Sequence, residues 1–575
     1  MVKPPFQAGI QDFVHSVDVG IGQWLVRGTL YLAFIIIIML LYTGSQFKGL
    51  KDQHAMEYAQ LGRNLAETGQ LTTKVVRPAT MRFLIEHSKD GDPRVDNHPD
   101  ILHPPLYPLA LSTAFKLLKP DFQPDVTVRD YPADRWGVLF VCHAFTLLTG
   151  LFVVLIGAQL FSWRIGLLGT AAYFLSDTVW AHSISGTNFS MVTCAITAAI
   201  YLLLASSSKH EKSGSPAAWI SLLVLAGLAM AAAVLTRYAA VAIVPGLALY
   251  VLQSFRRGWL WALMFCAIIL VALVPWLSRN HAVSGAWLGL SGEAYLAESR
   301  IYPDDAWDRA LVTKSPDGKD SYAAIQAKVL TNLKEFYQKN LRTMGNGLLV
   351  CLFLTTYFYR FVKQPVHRLR WAVAASAVCL FIGAAFYGGT SIDILLSLWP
   401  IVILYGLAFF FLLLDRLQLP LQIQRIGVIT LFMILAAAPL VFTLMPPRTV
   451  YPYPPYFVPY IAHVTNLMEE EEILCTDMPW ATAWYGDCTS LLLPQTVDDF
   501  YKINDEIKRV NGLYFTTLTR NKPYARSLLS GKEKSWLPIQ QGRMPADFPL
   551  TQGFPMHNLD QLFMTDRNRL ADRSN

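Results

Sequence analysis

The apolar residues of this chain are gathered into blocks of about 17–25, the length a helix needs to cross hydrocarbon. Backbone groups in lipid find no water, so each block must close its own hydrogen bonds as a helix. Composition agrees. The chain is 53% hydrophobic and 15% charged, against roughly 25% charged in an average soluble domain. Mean hydropathy is +0.34. The expected fold class is an all-α polytopic membrane protein.

Spans are expected near 29–46, 136–160, 165–183, 187–205, 217–234, 238–254, 259–276, 346–359, 371–387, 394–414 and 426–444, about eleven in all. The first follows Arg27 and has no small-residue cleavage site, which reads as an uncleaved signal anchor. With the N-terminus inside, the inside connections are Ser162–Arg164, Lys209–Lys212, Arg256–Arg257, Arg360–Arg370 and Arg416–Arg425. Each carries Lys or Arg, as inside loops do. Two large loops, 47–135 and 277–345, then fall outside, together with the tail from 446. That arrangement requires Pro104–Leu118 to lie on the outer surface as a juxtamembrane helix. The net charge of +7 fits inside-facing basic loops. No aromatic-interleaved basic patch is present, so nucleic acid is not an expected partner.

The tail reads as a small C-terminal α/β domain, 446–575, attached to a transmembrane module, 1–445. It opens with PPRTVYPYPPYFVPY and continues with β-prone runs at Ile473–Cys475 and Gly512–Phe515. Cys142, Cys194, Cys266, Cys351 and Cys379 lie in expected spans and behave there as small apolar residues. Cys475 and Cys488 share the outer domain, where a disulfide is the expected form. No spacing marks a metal site. Carboxylates and histidines leave a divalent metal open as a cofactor.

Charge near the end of a span is expensive and needs a reason. Three places carry it on one side. LTRY sets Arg237 between two apolar runs, and PWLSRN sets Arg279 at the outer end of the seventh span. The first loop holds Asp52, Glu57 and His103. A carboxylate beside cations suits a reaction that needs a base and releases an anion. The bland alternative for the arginines is interfacial anchoring.

At these residues the chain resembles the C-type, membrane-embedded glycosyltransferases. This group includes bacterial family 39, the protein O-mannosyltransferases and the aminoarabinose transferases of lipid A. The resemblance rests on the acidic first loop, YAQLGRNLAETG, HPPLYP, LTRY and PWLSRN, in that order across roughly residues 30–415. It implies a sugar donor on a polyprenyl phosphate, with a hexosyl or pentosyl group passed to an envelope lipid, glycan or protein. It also implies a bacterial cytoplasmic membrane location, inversion at the anomeric carbon and a first-loop carboxylate as general base. Asp52 is the preferred base, though its spacing to Tyr58 is longer than the family motif. Glu57, directly before Tyr58, is the alternative. His103, Arg237 and Arg279 would bind the lipid phosphate, with Tyr58, Arg63 and Arg77 as further candidates. His103 stands where aminoarabinose transferases carry lysine. His54 and His98 read as plain loop residues. Two departures stand out: SGTNFS (Ser185–Ser190) lacks a second acid, with Asp177 falling earlier, and SIDILL (Ser391–Leu396) lacks a basic residue. A transporter or flippase is the competing class, but it predicts midplane charges and internal repeats.

Overall fold

The computed structural model describes residues 21–123, 131–212, 214–299, 301–303, 305–312, 318–335, 338, 347–387, 389–445, 457–520, 528–555 and 561–569. Among these, eight helices are long and apolar enough to cross a membrane. They are Leu25–Gln46, Ala133–Leu160, Phe189–Glu211, Pro216–Thr236, Gly258–Ser284, Gln364–Gly383, Ile394–Arg416 and Gln422–Leu444. Exposed Leu40, Val271 and Phe442 give them an apolar outer surface. The protein is a multi-pass helical membrane protein.

Three of the eleven expected spans take a shorter form. The segment 165–183 is broken: one helix, Trp163–Phe174, stops at Leu175, and a second, Asp177–Ser183, restarts after Ser176. The segment 238–254 begins as a tight 3-10 stretch, Tyr238–Ile243, before the helix Val244–Ser254. The segment 346–359 is the helix Gly347–Thr355 with one further turn to Phe358. A twelve-residue helix reaches only about 18 Å, short of a hydrocarbon core. The helix Leu106–Leu118 is also short. It buries Tyr107, Leu111 and Phe115 and exposes Leu109, Leu117 and Leu118, the two-faced pattern of a surface helix.

The first-loop helix, Gln53–Thr68, is capped by Asp52, whose side chain accepts from the amides of His54 and Ala55. It ends on Gly69 at φ 74°, a left-handed stop. Every residue from Ala55 to Asn64 is buried, which a surface helix cannot manage alone. Leu106–Leu118 covers one side, where a Cβ on Gly62 would lie 2.7 Å from Leu111 Cβ. The helix Pro479–Gly486 of the tail covers another, and Ala55, Ala59, Tyr107, Leu111, Trp480 and Trp484 share one apolar core.

A six-stranded sheet explains this union. Its strands are β1 (Val75–Val76), β2 (Ile473–Thr476), β3 (Thr489–Leu492), β4 (Gly512–Phe515), β5 (Gln552–Pro555) and β6 (Leu562–Thr565), in the order β1-β3-β2-β4-β6-β5. The first four are parallel, and β6 and β5 are antiparallel. Strand β1 belongs to the first loop, with Val76 opposite Leu491. The loop therefore supplies one edge of the tail's sheet. A second tie is the buried Asp134, which accepts from Trp484 Nε1 at 2.7 Å and Tyr485 Oη at 2.9 Å.

The expected disulfide is not formed: Cys475 and Cys488 are free thiols. Side chains alternate across a strand, and Cys475 points into the core with Trp536 while Cys488 belongs to the core with Trp484. The sheet lies between them. Most of the proline and tyrosine stretch (446–456) lies outside the described residues.

Candidate functional site

The site grows from the N-terminal part of the first-loop helix. Glu57 is 1% exposed, and its two oxygens face different partners. Oε1 is ion-paired with the Arg77 guanidinium. Oε2 lies 3.0 Å from His103 Nε2 and 3.7 Å from His54 Nδ1. On the far side of the His103 ring, Nδ1 meets Asp100 Oδ1 at 3.1 Å, and the His103 amide donates to Asp100 Oδ2 at 3.2 Å. Asp100 lies three residues before His103, so its carboxylate closes the turn that starts HPPLYP. The Tyr58 ring packs edge-on against His103, with centroids 4.9 Å apart.

Burial pushes the Glu57 carboxyl up, but the Arg77 charge and the two imidazoles outweigh it and hold it well below the usual range. Burial alone would lower His103. Asp100 and Glu57 reverse this and carry it up to about 9. His98, five residues earlier, has only the Pro93 carbonyl and a more distant Asp100 to offset burial and falls to about 4. Asp308, from the second large loop, shares the field of Arg77, yet burial still raises its carboxyl.

The arginine motifs meet beside this cluster. Trp276 Nε1 of PWLSRN donates to Tyr238 Oη of LTRY at 2.6 Å. Arg279 donates to the carbonyls of Asp100 and, at 3.2 Å, Leu71, which fixes the backbone that carries His103. Arg237 sits at the turn after Thr236, half-buried, and its charge acts on Tyr58. Asn188 of SGTNFS bridges the elements, donating to Tyr58 Oη at 3.0 Å and the Thr236 carbonyl at 2.7 Å.

Asp52 stands apart, exposed at the mouth of the loop. It lines a cavity of about 400 Å³ with Tyr42, Gln46, Lys51, Ile184 and Ser185. Asp177 accepts from Tyr42 Oη at 3.0 Å.

The structure thus gathers Glu57, His103 and Tyr58, with Arg279 behind Asp100 and Arg237 beside Tyr58. It does not bring Arg63 there. Arg63 pairs with Glu67 at 2.9 Å and Asp487 at 3.1 Å, stapling the helix to the tail. Arg77, a secondary candidate, is the direct partner of Glu57. His54 is no plain loop residue, because it faces Glu57, and His98 is buried against Thr80. Asp100, Asn188 and Asp308 were not singled out from sequence. The one local signal was Asp100 three residues before the histidine of a double-proline turn. The side chains at the start of SIDILL are outside the described residues. His54, Glu57 and His103 each offer one ligand atom within 4.8 Å of the others, a set able to hold a metal ion.

No family model matches the sequence, and no characterised protein matches it by sequence. Solved structures do match in fold. The archaeal oligosaccharyltransferase AglB from Archaeoglobus fulgidus, in complex with an inhibitory peptide and a dolichol-phosphate, superposes with a TM-score of 0.57 at 11% identity, covering 94% of this chain and 75% of that one. ArnT from Cupriavidus metallidurans, bound to undecaprenyl phosphate, gives 0.56 at 13% identity, covering 95% of this chain and 99% of that one. The A. fulgidus oligosaccharyltransferase in complex with zinc and sulfate gives 0.50 at 12% identity, covering 86% and 69%. The chain has the fold of these membrane-embedded glycosyltransferases.

Proposed function

We propose that this protein is a membrane glycosyltransferase that moves a sugar from a polyprenyl-phosphate donor to a hydroxyl of an envelope lipid, glycan or protein. The likeness of fold along nearly the whole chain carries the reading, and the carboxylate-and-cation site in the first loop supports it. Two of the structural neighbours were solved with dolichol-phosphate or undecaprenyl phosphate, and a lipid-borne donor accounts for catalysis within a membrane bundle. The location is the bacterial cytoplasmic membrane, N-terminus inside. The catalytic loop (47–135), the second loop (277–345) and the tail domain (446–575) stand outside.

Asp52 is the general base. Glu57 has both oxygens turned to cations and is closed to solvent, so it is a poor acceptor of a substrate proton. Asp52 is open, beside a cavity large enough for a sugar. Its carboxylate takes the acceptor proton as the acceptor oxygen attacks the anomeric carbon. The bond from that carbon to the phosphate oxygen breaks, its electrons leave with the phosphate, and the configuration inverts. Arg237 and the cationic floor around His103 stabilise the charge that develops on the phosphate. Arg279 is a positioning residue, since its guanidinium is spent on the backbone of Asp100 and Leu71.

The test incubates purified protein with labelled polyprenyl-phosphate sugars and envelope extract. Label should move to an acceptor with wild type and stop with Asp52→Asn. Full activity in Asp52→Asn would sink the base assignment. No transfer from any polyprenyl-linked donor, and unchanged envelope glycans, lipids and proteins on gene deletion, would sink the transferase reading.

A further inference from the structure

We propose that a cleft at the junction of the first loop, the second loop and the tail binds an oligosaccharide, and that the acceptor of the transfer is a glycan chain. The cleft measures about 960 Å³, within the roughly 300–1,000 Å³ typical of ligand sites. Its walls come from three distant stretches, 82–97, 311–312 and 502–508. Ion pairs fix these walls. Lys508 Nζ lies 2.8 Å from Asp96 Oδ1, which ties the tail to the first loop, and Arg94 holds Asp90 at 2.8 Å within the loop's own turn. Arg82 is the buried cation of the lining, 3% exposed. Its Nη2 is paired with Glu293 at 2.8 Å, while Nε and Nη1 are buried with no hydrogen-bond partner among the described residues. An unpaired buried guanidinium N–H is costly, and a ligand oxygen at the floor of the cleft removes that cost.

The lining selects the ligand. It carries four basic and five acidic side chains, so a polyanion or a polycation would meet as much repulsion as attraction. Glu86, Asp92, Lys502 and Glu506 have no ion pair among the described residues and set donors beside acceptors. A hydroxyl both donates and accepts, so a chain of sugar hydroxyls fits such an interleaved surface. Exposed Ile85 and Val312 offer apolar contact to the C–H faces of the sugar rings. A peptide is the poorer fit. Bound peptides extend a sheet edge or lay an amphipathic helix in an apolar groove. No strand among the described residues lines this cleft, and its walls are mostly charged. The place suits an acceptor. The helix Pro78–His87 begins beside Arg77, the partner of Glu57, and Arg82 follows five residues on, about 7–8 Å along the axis. A glycan in the cleft is thus held by the same helix that closes the Glu57 cluster. The inference deepens the transferase reading, on which the word acceptor rests. Saccharide binding is measured with no donor present, so either can fail without the other.

The experiment immobilises the full chain in detergent. The probes are envelope saccharides released by mild acid, sized and labelled at the reducing end, and a peptide digest of the envelope proteins. Wild type should retain oligosaccharides and let monosaccharides and peptides pass. Arg82→Gln should weaken retention at least about tenfold. Lys502→Ala combined with Glu506→Ala changes two exposed side chains, so thermal unfolding should match wild type while retention falls severalfold. If Arg82→Gln fails to fold, the double variant decides alone. No oligosaccharide retained by wild type, peptides retained in its place, or undiminished retention in the folded variants overturns the site. Retention with no transfer from any polyprenyl-linked donor upholds the site and sinks the acceptor role together with the transferase reading.

Discussion

The first loop has a mouth and a floor, and its two candidate acids show how differently one helix start can use a carboxylate. At the mouth, Asp52 is open to solvent, caps the helix and lines a cavity. At the floor, five residues on, Glu57 is closed off among Arg77, His103 and His54. A carboxylate ringed by cations is held ionised and holds its surroundings in place. A carboxylate at an open edge can meet a substrate and give a proton back. Geometry, rather than residue type, divides the chemistry from its support.

The sharpest way to break this comparison is to remove each acid in turn. Asp52→Asn keeps the helix cap, because asparagine caps as well as aspartate, so unfolding in detergent should be unchanged while transfer falls by about 10²–10⁴-fold. If activity survives and stability drops, mouth and floor have been assigned the wrong way round. Glu57→Gln leaves Arg77 and His103 facing an amide. Breaking a buried pair this way costs about 3–5 kcal/mol, to be read as a lower unfolding midpoint. Gly62→Ala tests the packing that closes the floor. Its Cβ would lie 2.7 Å from Leu111 Cβ, and overpacking of this kind costs about 1–3 kcal/mol. An unchanged midpoint would mean that Leu106–Leu118 is free to shift.

The smallest effect is a pH profile of stability in chelator-treated protein, where two histidines pull in opposite directions. His103 rises to about 9 when folded, from 6.5. Its stabilisation is complete below pH 6.5 and is lost as pH climbs through 9. His98 falls to about 4 from the same starting value. The unfolded chain then binds its proton more readily, so stability declines as pH drops from 6.5 toward 4. The melting temperature should flatten on the alkaline side in His103→Gln and on the acid side in His98→Gln. Symmetric loss of both limbs in either variant would contradict the assignment.

Much of the scaffold was legible because hydrocarbon thickness writes itself into sequence as block length. Eight of the eleven apolar blocks became helices long enough to span, three took shorter or broken helical form, and the double proline at Pro104 marked the start of a helix of 13 residues. Asp52 before a helical run was readable as a cap. What sequence could not reveal was the burial of Glu57. Both acids lie in polar text, and the residues that bury the floor come from Leu71 to Arg77, from Asp308 and from the tail. Asn188 was hidden for another reason. SGTNFS drew attention for the acid it lacks, while the amide it has ties Tyr58 to the LTRY turn. The disulfide expectation failed because sheet alternation, invisible before β2 and β3 were paired, sets Cys475 and Cys488 on opposite faces.

The pairing of Val76 with Leu491 joins positions about 415 residues apart in the chain. At roughly 5–20 residues per second, the ribosome needs about 20–80 s to make the intervening stretch. For that time the first loop waits with its edge strand unmatched and its acids without their cover. The first loop is thus finished by the tail, and a chain that stops short of the tail would carry every candidate span and still leave that loop without its covering sheet.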